Sequence, residues 1–244
     1  MLSLRINPDL DESELIAALE HDGRVHVSGF LTPDTAEALA EVIAAETRWN
    51  LVAQLDGNHV DLDAAGMEKL EPLKREEFSI AVHAQARGGF QYLYENFPLY
   101  DIVHHNTLPD HPLIDLFTFL NGPDFLGFAR RLVGTDDIGF ADAQVTRYGP
   151  GHFLTSHDDA VSGKDRRAAY VLNLTREWRA DWGGQLLFFD EAGNVTGGFT
   201  PSWNALNVFR VPALHSVALV APFAKGRRTS ITGWLRAGND PGPD

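Results

Sequence analysis

The sequence predicts an α+β single domain in which N-terminal helices support an antiparallel double sheet of the β-sandwich or jelly-roll kind. Three observations predict it. Helical periodicity dominates the chain to about residue 135. From Asp137 onward the pattern changes to short apolar runs separated by Gly, Pro and Asp clusters, namely IGFADAQVTRY, AAYVLNLT, GGQLLFFD, ALNVFRV, SVALVAP and RTSITGWLRA. The length of 244 residues, with 22 Gly and 13 Pro, suits one large domain with many turns. Residues 1–244 are therefore expected to form one domain, with 1–135 as helix-rich support and lid, 136–237 as the jelly-roll core and 238–244 as a frayed tail.

In order, residues 9–21 place Leu10, Leu15, Ile16 and Leu19 on one helical stripe, and Gly23 then introduces an alternating strand, RVHVSGF. Thr32-Pro33 starts a second helix, since Thr caps well and Pro suits the first turn. Ala36, Leu39, Ala40, Ile43 and Ala44 form its buried face. His21 and His26 read as surface or strand histidines. Residues 49–62 read as paired strands around Asp56-Gly57-Asn58, and 73–87 as a helix ending before Gly88-Gly89. FQYLYENFPLY, residues 90–100, reads as an aromatic loop that either covers the core or lines a groove. His104 and His105 are adjacent and would point apart on a strand, so they cannot both face one ion. A helical region runs from His111-Pro112 to about Leu132, broken at Asn121-Gly122-Pro123.

Composition excludes several classes. A net charge of −14 with no offsetting Lys/Arg block argues against a nucleic-acid or anionic membrane surface and leaves a protein, peptide or small-molecule partner. The absence of cysteine excludes disulfides and thiolate metal sites, so any metal must be held by His, Asp and Glu. Acids interrupt the N-terminus where a signal peptide needs an apolar run. No apolar stretch reaches the roughly 18 residues of a membrane span, so a soluble cytoplasmic protein is expected.

The chemistry gathers around Gln144–Asp159, QVTRYGPGHFLTSHDD. An apolar strand breaks at Gly149-Pro150-Gly151 and delivers His157 and Asp159 two positions apart, where extended side chains share a face and can grip one ion. Asp158 then faces away. His215, at the start of the run HSVALV, returns to the same barrel mouth as a third ligand. Two histidines and one carboxylate form the facial set that leaves three positions open on Fe(II). In GRRTSITGWLR, Arg228 offers a rigid donor fork, with the hydroxyls of Ser230 and Thr232 alternating on its strand face. Alternation lets only one of Arg227 and Arg228 face inward. The site is built for a diacid.

These segments, YGPGHFLTSHDD, YVLN, WGGQLLFFD, NALNVFRVPALHSVALV and GRRTSITGWLR, resemble the iron(II)- and 2-oxoglutarate-dependent dioxygenases of the prolyl 4-hydroxylase type over roughly residues 140–236. The resemblance implies a double-stranded β-helix (jelly roll) core with supporting N-terminal helices. It implies iron held by His157, Asp159 and His215, with 2-oxoglutarate and O2 as cosubstrates and ascorbate as an optional reductant. It assigns Arg228 and Tyr170 to the distal carboxylate of 2-oxoglutarate and Tyr148 to a place near the cosubstrate and the metal. Trp234 and Arg147 fall where substrate contacts belong, and Tyr92 and Tyr94 join them from the aromatic run. The implied reaction consumes 2-oxoglutarate and O2, releases succinate and CO2 and hydroxylates a prolyl residue of a protein. Hydroxylation of a free amino acid or small metabolite is the alternative, and a catalytically silent jelly-roll binding module a third reading. Halogenation is disfavoured because Asp159 retains the carboxylate ligand.

Overall fold

The computed structural model describes residues 2–242. Helix α1 (Glu12–Asp22) is capped by Asp11, whose carboxylate accepts from the Ser13 and Glu14 amides, and ends on Gly23 at φ 68. Strand β1 (Arg24–Ser28) and helix α2 (Pro33–Ala45) follow, with Pro33 at the first turn as its fixed φ favours. A hairpin of β2 (Asn50–Leu55) and β3 (Asn58–Asp63) leads to the short α3 (Ala64–Glu68) and to α4 (Pro72–Ala86). The run expected to be an aromatic loop is instead strand β4 (Tyr92–Phe97) followed by α5 (Leu99–His104). Its side chains are buried on both faces, so no polar alternation marks it as a strand. Helices α6 (Ile114–Leu120) and α7 (Pro123–Val133) divide at Gly122, as expected.

The remaining strands are β5 (Ile138–Ala141), β6 (Gln144–Tyr148), β7 (Phe153–His157), β8 (Arg166–Leu174), β9 (Leu186–Phe189), β10 (Val195–Phe199), β11 (Trp203–Arg210), β12 (His215–Val217) and β13 (Arg228–Ala237). They pair antiparallel in the order β1-β11-β8-β13-β6-β4-β7-β12-β9-β10, with β2 and β3 extending from β4, and β5 paired to β13. The two ends of that path approach each other where Arg24 of β1 donates to the Thr196 carbonyl of β10 at 3.0 Å. The result is the nearly closed barrel of a jelly-roll double-stranded β-helix. The first half of the chain is more than helical support, because β1 and β4 sit inside this sheet. The glycine-rich β10 lacks apolar alternation and is absent from the strands read in sequence.

Helices α1, α2, α5, α6 and α7 bury one face of the larger sheet. Leu19, Phe30, Leu39, Leu116 and Phe125 meet Leu172, Leu206 and Ile231 there, all at most 1% exposed. Each such side chain contributes roughly 1.5–3 kcal/mol by leaving water. The opposite face of the same strands looks into the barrel, so helix packing fixes which residues the interior receives. The tail expected to fray is tied down through residue 242. The Tyr100 hydroxyl lies 2.8 Å from both the Asp240 carboxylate and the Gly242 carbonyl, and His104 lies 2.9 Å from Asp240. Residues 243 and 244 lie outside the described residues. Among the described residues no helix is long and apolar enough to cross a membrane.

One buried acid ties the end of α2 to the segment before α6. Glu46 accepts from the amides of Thr47 and Arg48 and from the Arg48 guanidinium, and lies 2.7 Å from His111. Burial opposes ionisation, yet these donors hold its carboxyl at about 2 against an ordinary 4.5. A depressed folded-state value stabilises the fold above the unfolded value and is lost as pH falls through the folded one. Glu46→Gln is therefore expected to cost roughly 2–3 kcal/mol at neutral pH and to flatten the loss of stability between about pH 5 and pH 2. Urea unfolding across that range checks this, and an unchanged slope assigns the acid transition elsewhere.

Candidate active site

The metal-ligand candidates meet because β7 and β12 pair antiparallel with His157 directly opposite His215, which puts both imidazoles on one face, ring centroids 4.1 Å apart. Asp159 arrives differently from the sequence reading. Strand β7 ends at His157, and Asp159 sits at φ 62, a left-handed conformation that Asp tolerates better than most residues. The turn, rather than a continued pleat, swings the carboxylate back toward the rings. Its oxygens lie 3.4 Å from His157 Nε2 and 3.5 Å from His215 Nε2.

The outer nitrogens fix the tautomers. His157 Nδ1 is 3.0 Å from the Thr155 carbonyl and His215 Nδ1 is 2.7 Å from that of Ala213. Each Nδ1 therefore carries the hydrogen and donates it, which leaves Nε2 as a lone pair aimed at the shared centre. Burial holds His215 down at about 4, so it is neutral at physiological pH. Burial alone would raise the Asp159 carboxyl, but the neighbouring His157 and His215 hold it below its usual range. The donor atoms of His157, Asp159 and His215 lie within 4.8 Å of one another. That clustering places the three donors around one point, as ligands of a shared ion must be. Two imidazole nitrogens and a carboxylate oxygen, with no thiolate, suit Fe(II).

The triad opens onto a cavity of about 430 Å³ whose far side is Arg228. Register explains the placement. In β13, Arg228, Ser230 and Thr232 lie opposite Tyr148, Thr146 and Gln144 of β6, so all six share the interior face. Arg228 is 2% exposed, its guanidinium lies 5.1 Å from the Tyr148 ring centroid, and neither Nε nor Nη1 has a partner. A buried guanidinium with unpaired donors is the complement of a carboxylate. Arg227 points the other way, to Glu95 at 2.6 Å and Glu68 at 3.1 Å, as alternation requires.

Three expectations are corrected here. Arg147 lies opposite Glu95 on the outer face, bonds it at 2.8 Å and stacks on Trp49, and so does not reach the cavity. Tyr170 stands opposite Gly233, out of phase with the interior residues of β8, and its hydroxyl donates to the Asp142 carbonyl at 2.8 Å. Its ring edge touches the cavity, but its hydroxyl is committed. A Cβ on Gly233 would meet that ring at 2.9 Å and the Asp142 carbonyl at 1.9 Å, so glycine is required there. Ser230 is fully buried, with its hydroxyl 3.0 Å from that of Thr146, and props the wall without lining the cavity.

Tyr92, Tyr94, Tyr148, Thr232 and Trp234 do line the cavity, with the Tyr94 and Tyr148 rings stacked at 5.0 Å. Sequence reasoning passed over Phe90, which packs on His157 at 5.2 Å, and Thr146, two residues before Tyr148 on the same strand face. The alternation of β6 was the signal for Thr146. No local signal marks Phe90.

Residues 143–236 match the model of the 2OG-Fe(II) oxygenase superfamily. Over 131 residues the chain is 30% identical to the prolyl 3-hydroxylase OGFOD1 of Mus musculus, covering 51% of this chain and 24% of the mouse protein. The Xenopus laevis protein of that name is 33% identical over 119 residues, covering 46% and 23%. The chain thus spans about a quarter of the length of these curated relatives. A prolyl-4-hydroxylase of Pseudomonas putida shares the fold at a TM-score of 0.57 and 18% identity, covering 93% of this chain and all of that one. A Trichoplax adhaerens prolyl hydroxylase, solved with a hypoxia inducible factor peptide fragment, does so at 0.57 and 15%, covering 93% and 89%. The segment similar to the 2OG-Fe(II) oxygenase superfamily, residues 143–236, is the one that carries the triad and Arg228.

Alanine at His157, Asp159 or His215 is expected to abolish stoichiometric Fe(II) binding, measured by metal analysis after desalting. A variant that keeps its iron removes that residue from the triad. Arg228→Ala is expected to weaken 2-oxoglutarate binding by about 2–5 kcal/mol, the range for breaking a buried charged pair. Calorimetry of Arg228→Ala against Arg227→Ala checks it, since only the former should matter.

Proposed function

We propose that this chain couples decarboxylation of 2-oxoglutarate to hydroxylation of a prolyl residue in a protein. The observation that carries the reading is the meeting, in one cavity, of a three-donor metal site and a buried cation lacking an anion. When bound, iron and 2-oxoglutarate supply the oxidant, drawn from O2, that an unactivated C–H bond requires.

The chain holds and orients. His157, Asp159 and His215 grip the metal from the side of β7 and β12. Arg228 receives the distal carboxylate of 2-oxoglutarate, with Tyr148 and Thr146 beside it on the interior face. Leu186, Phe209 and Val217 line the cavity with hydrocarbon and keep water from the reacting centre. No side chain is required as a nucleophile.

Relatives named prolyl 3-hydroxylase, and a fold neighbour solved with a peptide fragment, support a prolyl residue in a protein or peptide as substrate. The mouth of the cavity agrees. Phe90 and Val161 border it and are 45% and 49% exposed, an apolar rim suited to a pyrrolidine ring. Proline's fixed φ lowers the entropy lost when such a segment docks.

Incubation with Fe(II), 2-oxoglutarate and the proteome of the source cell should yield prolines heavier by one oxygen that are absent with Asp159→Ala. Efficient turnover of a free amino acid with no modified proline would shift the substrate to a small molecule.

A further inference from the structure

A second cavity, of about 300 Å³, adjoins the first and shares its walls at Tyr94, Gln144, Thr232 and Trp234. Nothing in the reaction described above uses it. Two carboxylates and an unpaired carbonyl stand among its polar groups.

Asn96 is 7% exposed, and its amide Nδ2 is spent on Gln144 Oε1 at 3.0 Å. The carbonyl oxygen of that side chain, Asn96 Oδ1, has no partner and is sealed from bulk water. An acceptor left so is a net cost to the fold until a donor reaches it. Two carboxylates, Asp101 and Asp142, line the same space. One oxygen of Asp142 accepts from the Trp234 amide at 2.6 Å, and the other faces Arg236 only at 3.9 Å, beyond hydrogen-bond reach. Arg166, the other cation near Asp142, stacks on the Trp234 ring and donates to the Asp159 carbonyl. His59, on the same wall, is engaged on both ring nitrogens, by Tyr92 at 2.6 Å and Asp61 at 3.2 Å. The Trp234 indole Nε1, on the shared wall, is buried without a hydrogen-bond partner and adds an unpaired donor to these groups.

The second cavity thus offers acceptors and negative charge next to an orphaned carbonyl. We infer that it is a specificity subsite for a cationic side chain, lysine or arginine, flanking the hydroxylated residue of the substrate. An ammonium or guanidinium group brings several donors and no acceptor, so it can satisfy Asn96 Oδ1 and a carboxylate together. A backbone amide carries one donor and would leave the charge unmatched. Wall sharing puts the subsite within reach of a residue close in sequence to the one at the metal, since an extended chain advances about 3.3 Å per residue.

This rests on the peptide-substrate reading, and the test separates the two. The probe is an array of proline-centred nonapeptides in which one lysine is scanned through every other position, with norleucine as the uncharged isostere. Binding is read by fluorescence anisotropy on the metal-loaded protein, and hydroxylation by mass spectrometry. At one or two adjacent offsets lysine should bind about tenfold more tightly than norleucine, the scale of one desolvated charge pair. Asp142→Asn keeps the acceptor for the Trp234 amide and should reduce that preference to about twofold or less, with a raised KM and little change in kcat. Asn96→Leu should weaken lysine and norleucine peptides unequally, lysine more. Prolines hydroxylated with no lysine preference, or a preference untouched by Asp142→Asn, overturn the subsite and leave the prolyl reading standing. Lysine-dependent binding with no modified proline keeps the subsite and sinks the prolyl reading. Binding of no member of the array overturns the subsite.

Discussion

The burial of the Arg228 guanidinium is the constraint on which the rest of this structure depends. Desolvating a guanidinium costs several kcal/mol, and among the described residues no acidic side chain bonds Arg228. The fold must therefore hold it in place by other means. Strand β13 lies between β8 and β6, and Arg228, its first residue, pairs with Tyr148 of β6. Beneath it the Ser230 and Thr146 hydroxyls join across the strands. The helices that bury the sheet's other face stop the strand from shifting register, and a slip of one residue would exchange Arg228 for Arg227. Packing far from the site thus secures the charge at its centre.

How much of this was legible depends on whether a signal lies within one strand or between strands. Alternation within β13 lets only one of Arg227 and Arg228 face inward, the family resemblance selects Arg228, and the Gly and Pro punctuation after residue 137 announces the jelly roll. The same rule, applied to β6, separates Arg147 from Tyr148, because neighbours on a strand cannot both face inward. Tyr170 is a harder case. Its face depends on β8 pairing Tyr170 with Gly233, and cross-strand register is written in no local stretch. Strand β4 was hidden for another reason. With β2, β6 and β7 around it and both faces covered, it reads as an unbroken aromatic run.

Asp159 shows where a sequence rule reaches the correct residue by an incomplete route. Two-residue spacing on a pleated strand predicts a shared face, and the carboxylate does share one with His157. The backbone achieves it with a left-handed turn that ends the strand, so the ligand stands on a corner. The Arg166 side chain, donating to the carbonyl of Asp159 at 2.9 Å, braces that corner from the start of β8. The triad consequently draws on a strand end, a turn and a second strand, each held by different bonds.

The seam at Arg24 has a consequence for the protein in solution. An unpaired sheet margin is a template on which a strand of another molecule can add, the first step of ordered aggregation. Here the margin formed by β10 is glycine-rich and carries little side-chain bulk of its own. Arg24 crosses it, donating to Thr196 and lying 4.8 Å from the Phe188 ring centroid, so an incoming strand would have to displace a cation from a carbonyl and an aromatic face. The barrel is left incompletely zipped, and a single charged side chain serves as the guard that keeps the gap from recruiting a neighbour.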